Sequence, residues 1–325
     1  MYEHKREKWI DVVRGFLIIL VVLGHSISGP YYDLNSGIDY IYLFHMPAFF
    51  ILSGYLYKDR DESIFKLLFK RAKRLLIPYI SYLILINIPI IINNYIDTKD
   101  IANLYRNIIF TLLGGQFLNQ YSGVLWFLTC LFFTEAFFII SNRLFKNDYL
   151  RIISVVFLYT LAHIEAWFFS GGKLPLALDI SLITITYFAI GFYFKKLLIN
   201  RKVAIISFII SIVTLFLIKI GYINFGLELW GHHYTNYILD LIIPASISLM
   251  IFNLCSYLEK SKILEELGKN TITIMCLHIS LNRLIMSIFG NYGSTLFTLI
   301  GVFIPFILSK FIFRKNRILN SLFIG

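Results

Sequence analysis

Apolar residues in this chain do not alternate singly with polar ones. They gather in blocks of about twenty, the length an α-helix needs to cross a hydrocarbon core of ~30 Å. Ten such blocks stand out, at about 9–27, 40–57, 75–93, 121–141, 150–168, 178–197, 203–222, 235–255, 271–289 and 293–313. One further apolar stretch, 101–118, is interrupted by Asn103, Arg106, Asn107, Gly114, Gly115 and Gln116. It reads as a re-entrant or interfacial helix. If it crossed as an eleventh span, every later loop would change sides.

The pattern predicts an all-α polytopic membrane protein of about ten transmembrane helices, with residues 1–325 forming a single membrane domain and no soluble appended domain. Composition agrees: 58% of the residues are hydrophobic and 15% charged, against about half and about a quarter in soluble domains. Basic residues orient the spans, because cytoplasmic loops are enriched in them. Lys5, Arg6 and Lys8 precede the first block, and Lys58, Arg60, Lys66, Lys70, Arg71, Lys73 and Arg74 fill the second loop. Every second loop after that, and the tail, continues the bias, while the other side carries only Lys99, Arg106 and Lys173. Both termini are therefore expected in the cytoplasm, and the chain in the plasma (inner) membrane. The net charge of +11 needs no nucleic-acid partner, since topology and anionic headgroups of the bilayer account for it.

The first block is too long for a signal-peptide core and has no small-residue cleavage site, so it is expected to stay in the mature protein. Cys130, Cys255 and Cys276 fall inside blocks without CxxC or zinc-type spacing, which argues against a disulfide framework. The adjacent His232 and His233 do not converge on one ion from a regular element, and no metal is expected.

Chemistry enters with the ionisable groups at membrane depth, which are costly there and rarely kept without a task. Arg14 and His25 are eleven positions apart in the first block. That spacing carries the chain about 16 Å along a helix and only about 20° off three full turns, so both face the same way. Asp11 is an i, i+3 neighbour of Arg14, suited to a local ion pair. The second block adds His45, Pro47, read as a helix distortion, and Ser53. After it, Arg71 and Arg74 stand one helical turn apart, able to grip phosphates bidentately. Glu135, His163, Glu165, Asp240, His278 and Arg283 are further polar candidates at membrane depth, with Glu135 and His278 foremost. Trp126 and Trp230 are large aromatic faces that could stack on a ring-shaped ligand. For each of these groups an interhelical structural role is the competing account.

In order, Asp11-x-x-Arg14-Gly15 with His25, then Phe44-His-Met-Pro-Ala-Phe-Phe-x-x-Ser53-Gly54, then Arg71-x-x-Arg74-Leu-x-x-Pro78-Tyr79, resemble the signature blocks of the acyltransferase family 3 membrane proteins. Leu125-Trp126-Phe127-Leu128, Phe188-Ala-Ile-Gly191 and Gly268-Lys-Asn through His278 are weaker matches. The resemblance implies a membrane-embedded O-acyltransferase that moves an acyl group, usually acetyl, from cytoplasmic acetyl-CoA to a hydroxyl of a carbohydrate or lipid-linked sugar acceptor at the cell surface. It implies His25 as catalytic residue, with Arg14 and Asp11 in the same motif. It implies Arg71 and Arg74, with Arg14, as the acyl-CoA site. His45, Ser53, Trp126, Glu135 and His278 are weaker substrate-binding candidates. The alternative from composition alone is a multi-spanning transporter of a sugar or lipid-linked intermediate, which would favour inverted repeats. Oligomeric state is not legible.

Overall fold

The computed structural model describes residues 7–27, 39–169, 173–234 and 236–325, so Lys5 and Arg6 lie outside the described residues. In chain order the α-helices are α1 Lys8–Ile27, α2 Asp39–Tyr42, α3 His45–Leu56, α4 Ile64–Thr98, α5 Ile101–Leu113, α6 Trp126–Leu144, α7 Asp148–Phe168, α8 Ile180–Tyr193, α9 Lys195–Leu198, α10 Arg201–Lys219, α11 Leu239–Ser256, α12 Lys262–Lys269, α13 Thr271–Phe289, α14 Gly293–Leu308 and α15 Arg317–Phe323. Extended structure among the described residues is limited to one isolated bridge between Glu228 and His233.

Among the described residues, nine helical stretches are long and apolar enough to cross a membrane. They coincide with nine of the ten blocks. The second block is a shorter apolar segment, Tyr40–Leu56, made of α2 and α3 with a break between them. Pro47 explains the break. A proline ring clashes with the carbonyl four residues earlier, here that of Leu43, so the helix restarts at His45 and Pro47 falls in its first turn, where no N–H is needed. The distortion expected at Pro47 thus lies before it, between Tyr42 and His45.

The second loop also differs from its sequence reading. Ser63 caps α4 by accepting from the Lys66 amide, and the helix then runs 35 residues without interruption. At 1.5 Å per residue that is about 52 Å, longer than the hydrocarbon core. Arg71 and Arg74 therefore stand on a helix continuous with the third span, rather than in a loop. The interrupted stretch forms α5, capped by Asp100; its 13 residues rise only about 20 Å, short of a full crossing.

α1 sits centrally, packed against α3, α11, α12, α13 and α14. On its far side α3 lies on α8, α8 on α6 and α7, and α6 on α4. Glycines set the two closest approaches. A Cβ on Gly15 would lie 2.0 Å from the Leu264 carbonyl oxygen, and one on Gly268 would lie 1.7 Å from that of Asp11, so α1 and α12 touch backbone to backbone. Gly54 against Phe188 and Gly191 against Ile51 repeat the arrangement between α3 and α8, each at 1.9 Å. Small residues permit such contact, which gives apolar helices the dense packing that holds them together in lipid. Outside this centre the polarity inverts: Ile205, Ile206, Ile209 and Phe216 on α10, and Ile84, Ile88 and Ile92 on α4, are exposed. Such a face suits hydrocarbon and would be costly in water.

Candidate active site

Two cavities lie beside α1. The smaller, about 240 Å³, is lined by Arg14, Ser53, Arg71, Arg74 and Glu135, among others; we call it the arginine chamber. The larger, about 910 Å³, is lined by His25, His45, Trp126, Trp230 and Arg283, among others, and is the histidine chamber. Met275 lines both.

Four helices, α1, α3, α6 and α13, contribute to both chambers, while α4 adds Arg71 and Arg74 to the arginine chamber alone. α1 sends Arg14 into one and His25 into the other, as the eleven-residue spacing requires. α3 contributes Phe49 and Ser53 to the first and His45 and Met46 to the second. α6 divides between Trp126 on the histidine side and Phe127 and Leu128 on the arginine side, and α13 between Thr271 and Arg283. The first two ordered sequence blocks therefore straddle the partition, whereas the third, with Arg71 and Arg74, lies on the arginine side alone. The apolar wall includes Met275 and Phe127, the latter ring 5.4 Å from Phe50.

In the arginine chamber Glu135 is the organising group. It is 1% exposed, pairs with Arg74 at 2.8 Å and with Arg71 at 3.1 Å, and so joins α6 to α4. The Arg71 guanidinium also lies over the Tyr57 ring at 5.2 Å. One carboxylate between two guanidiniums, with Arg14 lining the same cavity, leaves the chamber net positive. Pairing that uses one edge of a planar guanidinium leaves its other N–H groups to bind a second anion. The Ser53 hydroxyl donates to the Phe49 carbonyl. Asp11 is buried where α1 meets Gly268 and lines neither chamber.

In the histidine chamber His25 occupies the last turn of α1. Its ring centroid lies 5.2 Å from that of His278 and 6.2 Å from that of Tyr42, and Tyr42 is 5.1 Å from His45. His278 is fully buried, with Nδ1 2.9 Å from the Ile274 carbonyl oxygen. His45 Nδ1 is 2.7 Å from that of Ile41. A carbonyl only accepts, so both Nδ1 atoms carry protons and donate. Glu135 lies with the arginines rather than with His25; the rings around His25 are those of Tyr42 and His278.

A hairpin, Glu228 to His233, adds Glu228 and Trp230 to the histidine chamber. Burial pushes the Glu228 carboxyl above its ordinary range. His232 holds the hairpin down, its Nδ1 2.8 Å from Glu165 and its Nε2 3.1 Å from Asp179. Burial works against a charge on that ring, but the two carboxylates prevail and raise its pKa. His163 and Asp240 form a separate buried pair, 3.1 Å apart. Tyr42, Tyr57, Met275 and Glu228 had not been singled out from the sequence; only Tyr42, one turn before His45, carried a local signal.

Residues 7–314 match the family described as an acyltransferase domain. The chain belongs to this family. The match covers α1 through the turn after α14 and so includes the lining of both chambers of this acyltransferase-family protein, except Ile324 and Gly325 of the arginine chamber. It is similar to nodulation protein NolL of Sinorhizobium fredii, 32% identical over 133 residues, which is 38% of this chain and 34% of that protein. Nodulation protein NolL of Mesorhizobium japonicum is 33% identical over 91 residues, 26% of this chain and 24% of that protein. The chain thus aligns with about a third or less of the length of the curated relatives it matches. No solved structure matches.

Proposed function

We propose that this chain is a membrane O-acyltransferase that takes acetyl from cytoplasmic acetyl-CoA and places it on a hydroxyl of a cell-surface or lipid-linked sugar. The observation that carries the reading is the pair of chambers on shared helices, one cationic, one containing His25, meeting at Met275. The phosphates of CoA are too charged to enter hydrocarbon, whereas the slender pantetheine arm can thread inward. Arg14, Arg71 and Arg74 suit the phosphates, and the lysines Lys66, Lys70 and Lys73 at the start of α4 favour the cytoplasm for that end. The wide chamber with Trp126 and Trp230 suits a sugar ring, whose apolar face stacks on indole.

In the reaction, an imidazole nitrogen of His25 takes the acceptor hydroxyl proton as the oxygen attacks the thioester carbonyl. A C–O bond forms, the tetrahedral intermediate collapses, and the C–S bond breaks. The proton on His25 passes to the departing thiolate, so CoA leaves as the thiol and the base is regenerated. Such general-base assistance contributes typically 10²–10⁴-fold. His278 and Tyr42 act as positioning residues by packing on the His25 ring. The direct route requires no metal.

The test is thiol release from acetyl-CoA by purified protein in nanodiscs, with a panel of sugar acceptors, comparing wild type with His25→Ala. Release that needs both acceptor and His25 is expected. Acceptor-dependent release that persists in His25→Ala would remove the histidine from the chemistry, and failure of wild type to bind acetyl-CoA would remove the donor. For orientation, a Lys66→Cys variant in intact cells should react with an impermeant maleimide only after the cytoplasmic face is opened; labelling from outside would invert the assignment.

A further inference from the structure

Arg283 lines the histidine chamber from α13, six residues before the end of that helix. It is partly exposed to the cavity, and its guanidinium lies over the Tyr121 ring at 5.4 Å. Among the described residues no carboxylate pairs with it. Glu228, which lines the same chamber, has a carboxyl oxygen close to Gly231 of its own hairpin and makes no ion pair with Arg283. A second cation, Lys173, lies over the Trp230 ring at 5.6 Å. The two chambers are therefore opposite in their charge accounting. In one, buried Glu135 is shared by Arg71 and Arg74; in the other, the arginine stands beside an aromatic face and a cavity.

A guanidinium at membrane depth is costly, and proteins offset that cost with a counter-charge or use it for a ligand. The Tyr121 face fixes the plane of the group without neutralising it, and leaves the in-plane N–H fork available for two oxygens of one anion. We infer that Arg283 binds an oxyanion carried by the acceptor, so that the acceptor class is an acidic sugar bearing a carboxylate or a phosphate rather than a neutral one. This rests on the acyltransferase reading for the word acceptor, but recognition of the anion does not depend on transfer. Anchored on Arg283, the sugar presents its hydroxyls within the chamber that contains His25. Arg283 is then a specificity residue, outside the proton-transfer chemistry.

The experiment is calorimetric titration of the full chain in nanodiscs with three matched probes: phenyl β-D-glucoside, phenyl β-D-glucuronide and phenyl β-D-glucoside 6-phosphate. At least one anionic probe should bind about tenfold or more tightly than the neutral one, as expected for a charge-assisted pair worth roughly 1.5–3 kcal/mol. Which anion carries the preference distinguishes a sugar carboxylate from a sugar phosphate. Arg283→Gln should abolish the preference and Arg283→Lys should keep part of it, with the melting temperature of each variant reporting that it folds. Equal binding of the three probes, no binding by any of them, or a preference that survives in Arg283→Gln overturns the inference. His25→Ala protein should show the wild-type preference, which separates failure of anion recognition from failure of the acyl-transfer reading.

Discussion

The arginine chamber and the histidine chamber have four helices in common and share a wall, yet they solve opposite problems. The first gathers charge: three arginines line it, and buried Glu135 holds two of them on the first part of α4. The second gathers imidazole and aromatic groups around a single arginine: His25, His45, two tryptophans and Arg283 line it, with His278 beside His25. One arrangement suits a multiply charged ligand that must stay out of the bilayer. The other suits proton transfer on a sugar hydroxyl. A helix of about twenty residues can serve both because its side chains keep one rotational register along its length.

Substitutions that strike one chamber alone break this comparison most directly. His25→Ala should lower acetyl transfer by about 10²–10⁴-fold while equilibrium binding of acetyl-CoA stays close to wild type. Loss of both together would mean that the chambers are one site. Arg71→Ala should raise the apparent KM for acetyl-CoA by about tenfold, from loss of a charge-assisted hydrogen bond, with a smaller change for the acceptor. Equal changes for both substrates would make Arg71 a structural anchor of Glu135.

The shared framework can be tested apart from either chamber. Gly268→Ala forces a methyl group against the Asp11 carbonyl oxygen and should cost about 1–3 kcal/mol by overpacking, read as a lower melting temperature. Gly226→Ala meets nothing within 4 Å and should stay within about 0.5 kcal/mol. If the two variants melt alike, the α1–α12 contact is looser than its geometry implies.

The smallest effect belongs to the hairpin that walls the histidine chamber. His232 has a raised pKa through Asp179 and Glu165, against the opposing effect of burial. A raised folded pKa contributes stability that is fully present below the ordinary histidine pKa and is lost as pH rises through the raised value. Melting temperature should therefore fall on the alkaline side of pH 6.5, the ordinary histidine pKa, and His232→Gln should flatten that limb. A wild-type profile already flat there would remove the clamp from the account.

Much of the architecture was readable as a linear pattern. Apolar blocks of membrane-crossing length anticipated the nine long helices and the segment Tyr40–Leu56, and the three ordered motifs anticipated the family. The block glycines had no assigned reason until Gly15, Gly54, Gly191 and Gly268 proved to be points of backbone contact between helices. Glu135 was among the leading candidates, but which cations it pairs with depends on how α6 packs on α4, 61 residues away in sequence. Arg71 and Arg74 were legible as a pair one helical turn apart but were assigned to a loop; Ser63 and the continuity with the third span make that stretch part of α4.

What the sequence determined by itself was everything set by local periodicity and by the cost of charge in lipid: the spans, the common face of Arg14 and His25, and the rarity of the polar groups that mark the site. The tertiary structure alone decided which of those polar groups meet. Glu135 went to Arg71 and Arg74, His278 and Tyr42 to His25, and Arg283 to a cavity and a tyrosine ring. The reason is geometric. Period and hydropathy constrain each helix along its own axis, whereas partners are chosen by the rotation and close approach of helices distant in the chain.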